Sequence, residues 1–422
     1  MAILAMVDEP PEAAMAYKPE VLRESIDRRD RDAAPYFAGR SSETERFERA
    51  LRSLSKRRHN DRAAEFLIYQ GAPGCGKTSL AKHLDDTHAD ALFVQLAMDH
   101  LHSAAALEEK IEAEAMAAAR LGRRGALLVL RAAGEWMKMK DAASHLAAHI
   151  SPPAAKNARI VLHLDEAQTV GSEQQSTLTR LHTVGANTPC ILLMTGLTHT
   201  AGSVRKLPGL SRIASDAVVN MGAMTDGECA ESTRMMLDAA GVRGDIGRAS
   251  ELSAPLAMGW PQHLKGVQDA LAKEIQRVGG DADQVDHLAV SAEATRFRNQ
   301  YYEARLDDSI LTKRPAFTHR LIAKIHVSEV EDEVALHDLC AGELERCGLA
   351  DNPAFAVTAN TLVNTLVEKG VVTIIRGRGC EVAIPSMAVW ASAQTDDSPP
   401  RRSQATGEPG PRPRAANVPS RN

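Results

Sequence analysis

The sequence predicts an α/β fold in which a parallel sheet lies between helices, followed by an all-helical segment and then by three helices and a β-hairpin. Three observations predict it. Between about residues 36 and 220, short β-type runs alternate with helical stretches; from 225 to about 306 the apolar spacing is helical throughout; and two β-runs at 371–375 and 380–384 flank a Gly-containing turn. Strands alternating with helices imply parallel pairing with both faces covered, because each crossover must pass over the sheet. The composition agrees: 422 residues give room for two or three globular units, and 44% hydrophobic with only 4% aromatic residues points to a helix-rich core of Leu, Val, Ile and Ala.

Taken in order, residues 1–35 mix Pro with dense charge and read as a disordered segment, and no basic stretch precedes their apolar start as a signal peptide requires. The β-type runs at 66–70, 91–96, 160–164, 191–195 and 217–219 define a first domain over 36–224. A long helical stretch at 103–150, with Trp136, Met137 and Met139 near its middle, reads as core packing between the second and third runs. His145 and His149 share a face of it at metal-ligand spacing, but the acid of H-E-x-x-H is missing, so no metal is expected there. Thr225 and Glu228 have the spacing of a reciprocal helix cap and open a helical lid over 225–308. Helices around Phe317, Leu321, Ile322 and Ile325, then around 334–346 and 358–368, precede the hairpin turn Arg376-Gly377-Arg378-Gly379; this is the outline of a winged helix over 309–392. Residues 393–422, rich in Pro, Gly, Ser and Arg, read as a disordered tail.

Charge and cysteines exclude some roles. A net charge of −5 gives no general affinity for nucleic acid or an anionic membrane, so any such site must be local. The apolar run at 125–130 falls far short of the roughly 20 residues a bilayer helix requires. Six cysteines scattered without a C-x-x-C pair read as reduced thiols in a cytoplasm.

The chemistry is concentrated in Gly71-Ala72-Pro73-Gly74-Cys75-Gly76-Lys77-Thr78, which fits G-x-x-x-x-G-K-[ST] and lies after the apolar run 66–70 and before a helix that begins around Ser79. Gly71, Gly74 and Gly76 let successive N–H groups and a helix N-terminus face phosphate oxygens, Lys77 neutralises the β and γ phosphates, and Thr78 gives a hydroxyl to Mg²⁺. This is a P-loop, and the fold class becomes an α/β P-loop NTPase that binds ATP and Mg²⁺. About 80 residues on, the run 159–164 ends in Asp165 and Glu166 at the sheet edge where the loop also lies. Asp165 is expected to hold the Mg²⁺ hydration shell and Glu166 to polarise the attacking water. Thr195, ending the next run, is placed to bond that water or the γ-phosphate, or else simply starts the Gly196 turn. Arg212, or nearby Arg205, could project into a neighbouring subunit's site, or else Arg212 is simply a solvated surface arginine.

With these motifs in place, residues 36–392 resemble the AAA+ class and, within it, the branch of origin-recognition initiators and related transposon and signalling ATPases. Phe37-Ala38-Gly39-Arg40, followed by Glu43 and Glu45, is similar to that family's F-x-G-R-x-x-E motif, which implies that Gly39 and Arg40 sit beside the adenine base. Gly259-Trp260-Pro261-Gln262-His263-Leu264 resembles its second sensor, with Gln262 and His263 where many members place an arginine on the γ-phosphate. His263 supplies that charge only when protonated; without it, hydrolysis slows or the protein becomes a nucleotide-dependent switch. The resemblance implies a homo-oligomer in the ATP state and a winged helix on double-stranded DNA, with the helix at 358–368 in the major groove. Lys313, Arg314, Arg320, Arg376 and Arg378 form the phosphate-contacting set, although residues 311–392 hold eight Lys/Arg against ten Asp/Glu. The alternative is a nucleotide-controlled adaptor with slow turnover whose winged helix binds a protein partner. Lys56-Arg57-Arg58 and the tail arginines could add contacts to nucleic acid, or else are a solvated helix face and a floppy terminus.

Overall fold

The structure, a computed structural model, describes residues 16–27, 36–56, 65–88, 91–98, 159–171, 190–207, 213–350, 357–375 and 379–395, with isolated positions at 106–113, 175–178 and 210. Trp136, His145, His149, Arg57, Arg58, Arg212, Arg376, Arg378 and the tail lie outside the described residues.

Five strands form the sheet: β1 (Glu65–Gly71), β2 (Ala91–Ala97), β3 (Arg159–Asp165), β4 (Cys190–Gly196) and β5 (Val218–Met221), ordered β2-β3-β4-β1-β5. All pair in parallel. The strands are apolar almost without interruption because both faces are buried. Leu67 and Tyr69 of β1 pack with Phe47 of α2 (Ser41–Lys56) and Leu80 and Leu84 of α3 (Lys77–Thr87). Ile68, between them, faces the other side with Val94, Leu162, Leu192 and Val204 of α4 (Thr200–Arg205). The order matters for chemistry: β4 lies between β1, which feeds the P-loop, and β3, which carries the acids.

One part of the expected N-terminal disorder is corrected. Residues Pro19–Asp27 form α1, with Leu22 fully buried against Met236, Leu237 and Leu271, and the Lys18 N–H donates to the Ala240 carbonyl at 2.8 Å. Composition over 35 residues hides the short apolar stripe of Tyr17, Val21 and Leu22, which is enough to seat one helix in a groove.

The lid comprises α5 (Asp226–Ala239), α6 (Ile246–Glu251), α7 (Ser253–Ala257), α8 (Pro261–Arg277) and α9 (His287–Arg305). Thr225 caps α5 by accepting from the Glu228 N–H at 3.2 Å, and the Thr225 N–H donates to Glu228 Oε2 at 2.7 Å. The other Glu228 oxygen accepts from the Arg40 N–H at 3.0 Å, tying the lid to the segment before α2. Burial opposes ionisation of Glu228, but the Thr225 and Arg40 amides outweigh it and hold its pKa below the usual value.

A C-terminal unit follows with α10 (Pro315–Val327), α11 (Glu333–Arg346), α12 (Ala359–Glu368), the antiparallel pair β6 (Val372–Ile375) and β7 (Gly379–Val382), and α13 (Pro385–Thr395). α13 was not foreseen from the sequence. It buries Met387, Ala388 and Ala391, and Ser386 at its start accepts from the Tyr302 hydroxyl of α9 at 2.7 Å. Among the described residues no helix is long and apolar enough to cross a membrane.

Candidate nucleotide-binding site

The loop between β1 and α3 is held open from outside by its own carbonyls. Pro73 O accepts from Trp260 Nε1 at 3.0 Å, Gly74 O from the Gln262 N–H at 3.1 Å, and Cys75 O from the Arg40 guanidinium at 2.8 Å. In a planar trans peptide the next N–H points opposite to the carbonyl, so the N–H groups of Gly74 and Gly76 turn toward the mouth of the loop. Gly74 and Gly76 have φ of +74° and +90°, as this curl demands, and a Cβ on Gly74 would meet the Tyr301 hydroxyl at 2.7 Å. Lys77 Nζ bonds the carbonyls of Gly71 and Ala72, each at 3.0 Å, which leaves its charge at the centre of that cradle. Cys75 is fully buried in the core beneath the loop.

The acids arrive from β3. Thr78 donates to Asp165 Oδ2 at 3.0 Å, while Asp165 Oδ1 accepts from the Glu166 N–H at 3.0 Å and from the Thr195 hydroxyl at 2.5 Å. His163, two residues earlier on the same face of β3, contacts the Thr195 hydroxyl through Nε2 at 2.8 Å. Since that hydroxyl gives its proton to Asp165, His163 must donate from Nε2, leaving a buried Nδ1 without a hydrogen-bond partner. Burial pushes the His163 pKa down, against the pull of the Asp165 charge, so the ring is neutral. Glu166 has φ +54°, and its carboxylate accepts from the Gln168 amide, whose oxygen accepts from the Leu197 N–H at 3.0 Å.

Around these groups lies a cavity of about 460 Å³. Tyr36, Phe37 and Ala38 border one side, the loop and Thr78 the floor, Glu166 and Gln168 the sheet edge, and Gln262, Lys265 and Arg305 the lid side, with Lys369 from the C-terminal unit. Phe37 stacks on His83 with ring centroids 4.1 Å apart. The residues present fit a nucleoside triphosphate with a divalent cation: a concave set of N–H groups around a buried lysine, and a hydroxyl and a carboxylate that already meet at one point.

Most sequence-derived residues come together here, and some take other tasks than expected. Ser79 lines the cavity, and Gly71 and Ala72 contribute carbonyls to Lys77. Arg40 lines it too, but its guanidinium is committed to Cys75 O, Gly222 O and Glu43, so it braces the loop; Gly39, φ +75°, lies against Glu228. Thr195 is fully buried with its hydroxyl spent on Asp165 and His163. His263 is a correction: it does not line the cavity, its Nδ1 is bonded to Ala257 O at 3.2 Å, and burial pushes its pKa down to about 4. It is neutral at pH 7 and supplies no cation. Arg205 bonds Ala214 O at 3.4 Å and does not line this cavity. Sequence reasoning missed His163, Gln168, Arg305 and Lys369, and named Trp260 only within the second-sensor segment. Only His163 left a signal, as the one polar side chain inside an otherwise apolar run that leads to Asp165.

No protein-family model matches the sequence, and no curated protein matches it. Among solved structures, the ORC2 protein of Aeropyrum pernix is similar in its ADP form, with 16% identity and a TM-score of 0.54 over 89% of this chain and 98% of that one. Its ADPNP–ADP complexes give 15% identity and 0.52 over 88% and 97%. Cdc6p from Pyrobaculum aerophilum covers 88% and 98% at 16% identity with a TM-score of 0.42. At these identities the ORC2 likeness establishes the fold: this chain is built as a P-loop α/β unit carrying a helical C-terminal part.

Proposed function

We propose that the chain is a Mg²⁺-dependent AAA+ ATPase of the initiator-like branch, converting ATP and water to ADP and phosphate and acting with double-stranded DNA. The observation that carries this reading is the 3.0 Å bond from Thr78 to Asp165, which joins two segments 87 residues apart at one point of a phosphate-shaped cradle. The nucleotide-bound states of the ORC2 structures with the same fold support it. In this reading the chain divides into a nucleotide-binding domain at 36–224, a lid at 225–308 and a winged helix at 309–392. The protein is cytoplasmic, and copies assemble in the ATP state with Arg205 or Arg212 completing a neighbour's site.

Lys77 exchanges the loop carbonyls for phosphate oxygens, and Thr78 and Asp165 hold Mg²⁺. That cation, when bound, neutralises charge on the phosphates. Glu166, steadied by Gln168, orients the attacking water and takes its proton. Thr195 and His163 act through Asp165 by fixing its carboxylate. The winged helix meets DNA with α12 in the major groove and Lys313, Arg314, Arg320, Arg376 and Arg378 on phosphates.

Two observations favour a second reading, a nucleotide-controlled adaptor with slow turnover and a protein partner. His263 is neutral, and the exposed side of α12, formed by Asn360, Thr361, Asn364 and Glu368, carries no base. Steady-state ATP hydrolysis with and without duplex DNA at two salt concentrations separates the two. DNA-stimulated turnover that fades with salt supports the first, and turnover indifferent to DNA supports the second. Lys77→Ala is expected to lose nucleotide binding, and Glu166→Gln to bind but not turn over; undiminished hydrolysis by Glu166→Gln removes that residue from the mechanism.

A further inference from the structure

The C-terminal unit is not merely joined to the P-loop domain; it sits against the phosphate cradle. Gly370 has φ +64°, and a Cβ there would lie 2.6 Å from Pro73 of the loop and 3.3 Å from Leu197 after β4. The Thr373 and Thr198 hydroxyls are hydrogen-bonded across the same seam. This contact lies on the side of the loop that faces the ends of β3 and β4, where Glu166 and Gln168 stand. That is the side on which a terminal phosphate is attacked.

Lys369, adjacent to Gly370, borders the cavity in this position. Its present contacts are weak: Asp308 at 3.6 Å and the Asp307 carbonyl at 3.4 Å, with the side chain 42% exposed. The other cations on the rim have contacts of their own. Arg40 is spent on loop carbonyls, Lys265 is paired with Asp269 at 3.1 Å, and Arg305 lies 5.4 Å from the centre of the Tyr301 ring. Glu368 also reaches the rim, where it interacts with His199 ahead of α4. At the start of α8, Gln262 carries no charge and His263 is turned into the core, so neither supplies a cation to the cavity.

We propose that Lys369 is a phosphate ligand of the nucleotide site, supplied by the C-terminal unit, and that through it the protein distinguishes a nucleoside triphosphate from a diphosphate. This deepens the nucleotide-binding reading and rests on it. The ammonium exchanges Asp308 for a terminal phosphate oxygen, a charge-assisted contact made on the far side of the phosphate from Lys77. The triphosphate then spans two units of the chain, so its presence secures the C-terminal unit against the loop and its loss releases one of the contacts that hold it.

The test is equilibrium binding of ADPNP and of ADP, each with Mg²⁺, to the full chain and to Lys369→Ala, Asp308→Asn and Lys77→Ala. Lys369→Ala is expected to weaken ADPNP about tenfold while changing ADP less than about twofold, as loss of one partly exposed charge-assisted bond implies. Asp308→Asn removes the same ion pair but keeps the lysine, so ADPNP affinity should hold or tighten. The proposal is overturned if Lys369→Ala binds both nucleotides as the wild type does while Lys77→Ala binds neither, or if Asp308→Asn reproduces the loss, since the ion pair rather than a phosphate contact would then be responsible. A wild type that binds neither nucleotide overturns the nucleotide-site reading itself.

Discussion

Thr195→Val is the sharpest probe of the polar chain that fixes Asp165. The substitution keeps volume and β-branching, so packing in β4 is retained while one hydroxyl is removed. That hydroxyl is fully buried and serves two partners: it donates to Asp165 Oδ1 at 2.5 Å and accepts from His163 Nε2 at 2.8 Å. Without it, His163 Nε2–H is a buried donor with no acceptor, in a ring whose unprotonated Nδ1 already lacks a donor, which costs about 1–3 kcal/mol. Asp165 loses a charge-assisted bond but keeps Thr78 and the Glu166 N–H, so its share is at the lower end of roughly 1.5–3 kcal/mol. A gain of about 1 kcal/mol for burying a methyl in place of the hydroxyl offsets part of this. The net expectation is a destabilisation of about 1.5–3.5 kcal/mol.

Urea unfolding followed by far-UV circular dichroism reads this directly, provided the slope with denaturant is unchanged. Thr195→Ser keeps the hydroxyl and should cost only about 1 kcal/mol for the missing methyl. In a His163→Leu background the cost of Thr195→Val should fall, because the unpaired donor is gone, and the difference measures the coupling. Thr195→Val within about 0.5 kcal/mol of wild type, or Ser as costly as Val, would show that the chain from His163 to Asp165 contributes nothing.

Two further outcomes follow from the same geometry. The His263 pKa is lowered to about 4 in the fold, so the unfolded chain takes up a proton near pH 6.5 while the folded one does not; stability should therefore fall as pH drops through this window and level off below about 4, a loss of up to about 3 kcal/mol that His263→Asn, which preserves the donor to Ala257 O, should largely remove from a urea-versus-pH profile. Glu166→Gly relieves a left-handed backbone at the expense of chain entropy in the unfolded state and should be as stable as wild type or up to about 1 kcal/mol more so, with hydrolysis abolished; a thermal melt showing more than about 1 kcal/mol of destabilisation would contradict the strain.

What the sequence made legible follows from how each feature is encoded. The sheet was readable because burial on both faces turns β1 to β4 into continuous apolar runs, and because the acids end β3 at a sharp change of polarity. The helix cap at Thr225 was readable because its partner is three residues away. The lid's grip on the loop was not. Gly259-Trp260-Pro261-Gln262-His263 drew attention to the side chains at 262 and 263, yet the contacts run through the Trp260 indole and the Gln262 backbone N–H, and a backbone donor has no residue signature. Lys369 was invisible for another reason: it lies nearly 300 residues from the loop, at the end of a helix whose local pattern says nothing about what it faces.

The costs of the fold help to locate its chemistry, most clearly where they coincide. Met258 has φ +51°, yet it ends α7 as a left-handed cap, and that local role accounts for it. His263 Nε2 is buried without a partner, yet the ring is wedged edge-on against Tyr301 and Tyr302, away from the cavity. At the end of β3 both kinds of cost fall within four residues, His163 with its orphaned Nδ1 and Glu166 with its left-handed backbone. The second has a stereochemical reason. Successive side chains of a strand point to opposite faces, so an Asp-Glu pair continued in extended conformation would send one carboxylate into each layer of the domain. Turning the chain at Glu166 keeps both acids at the same end of the sheet, Asp165 against Thr78 and Glu166 against Gln168 on the cavity wall, and the left-handed residue is the physical cost of that convergence.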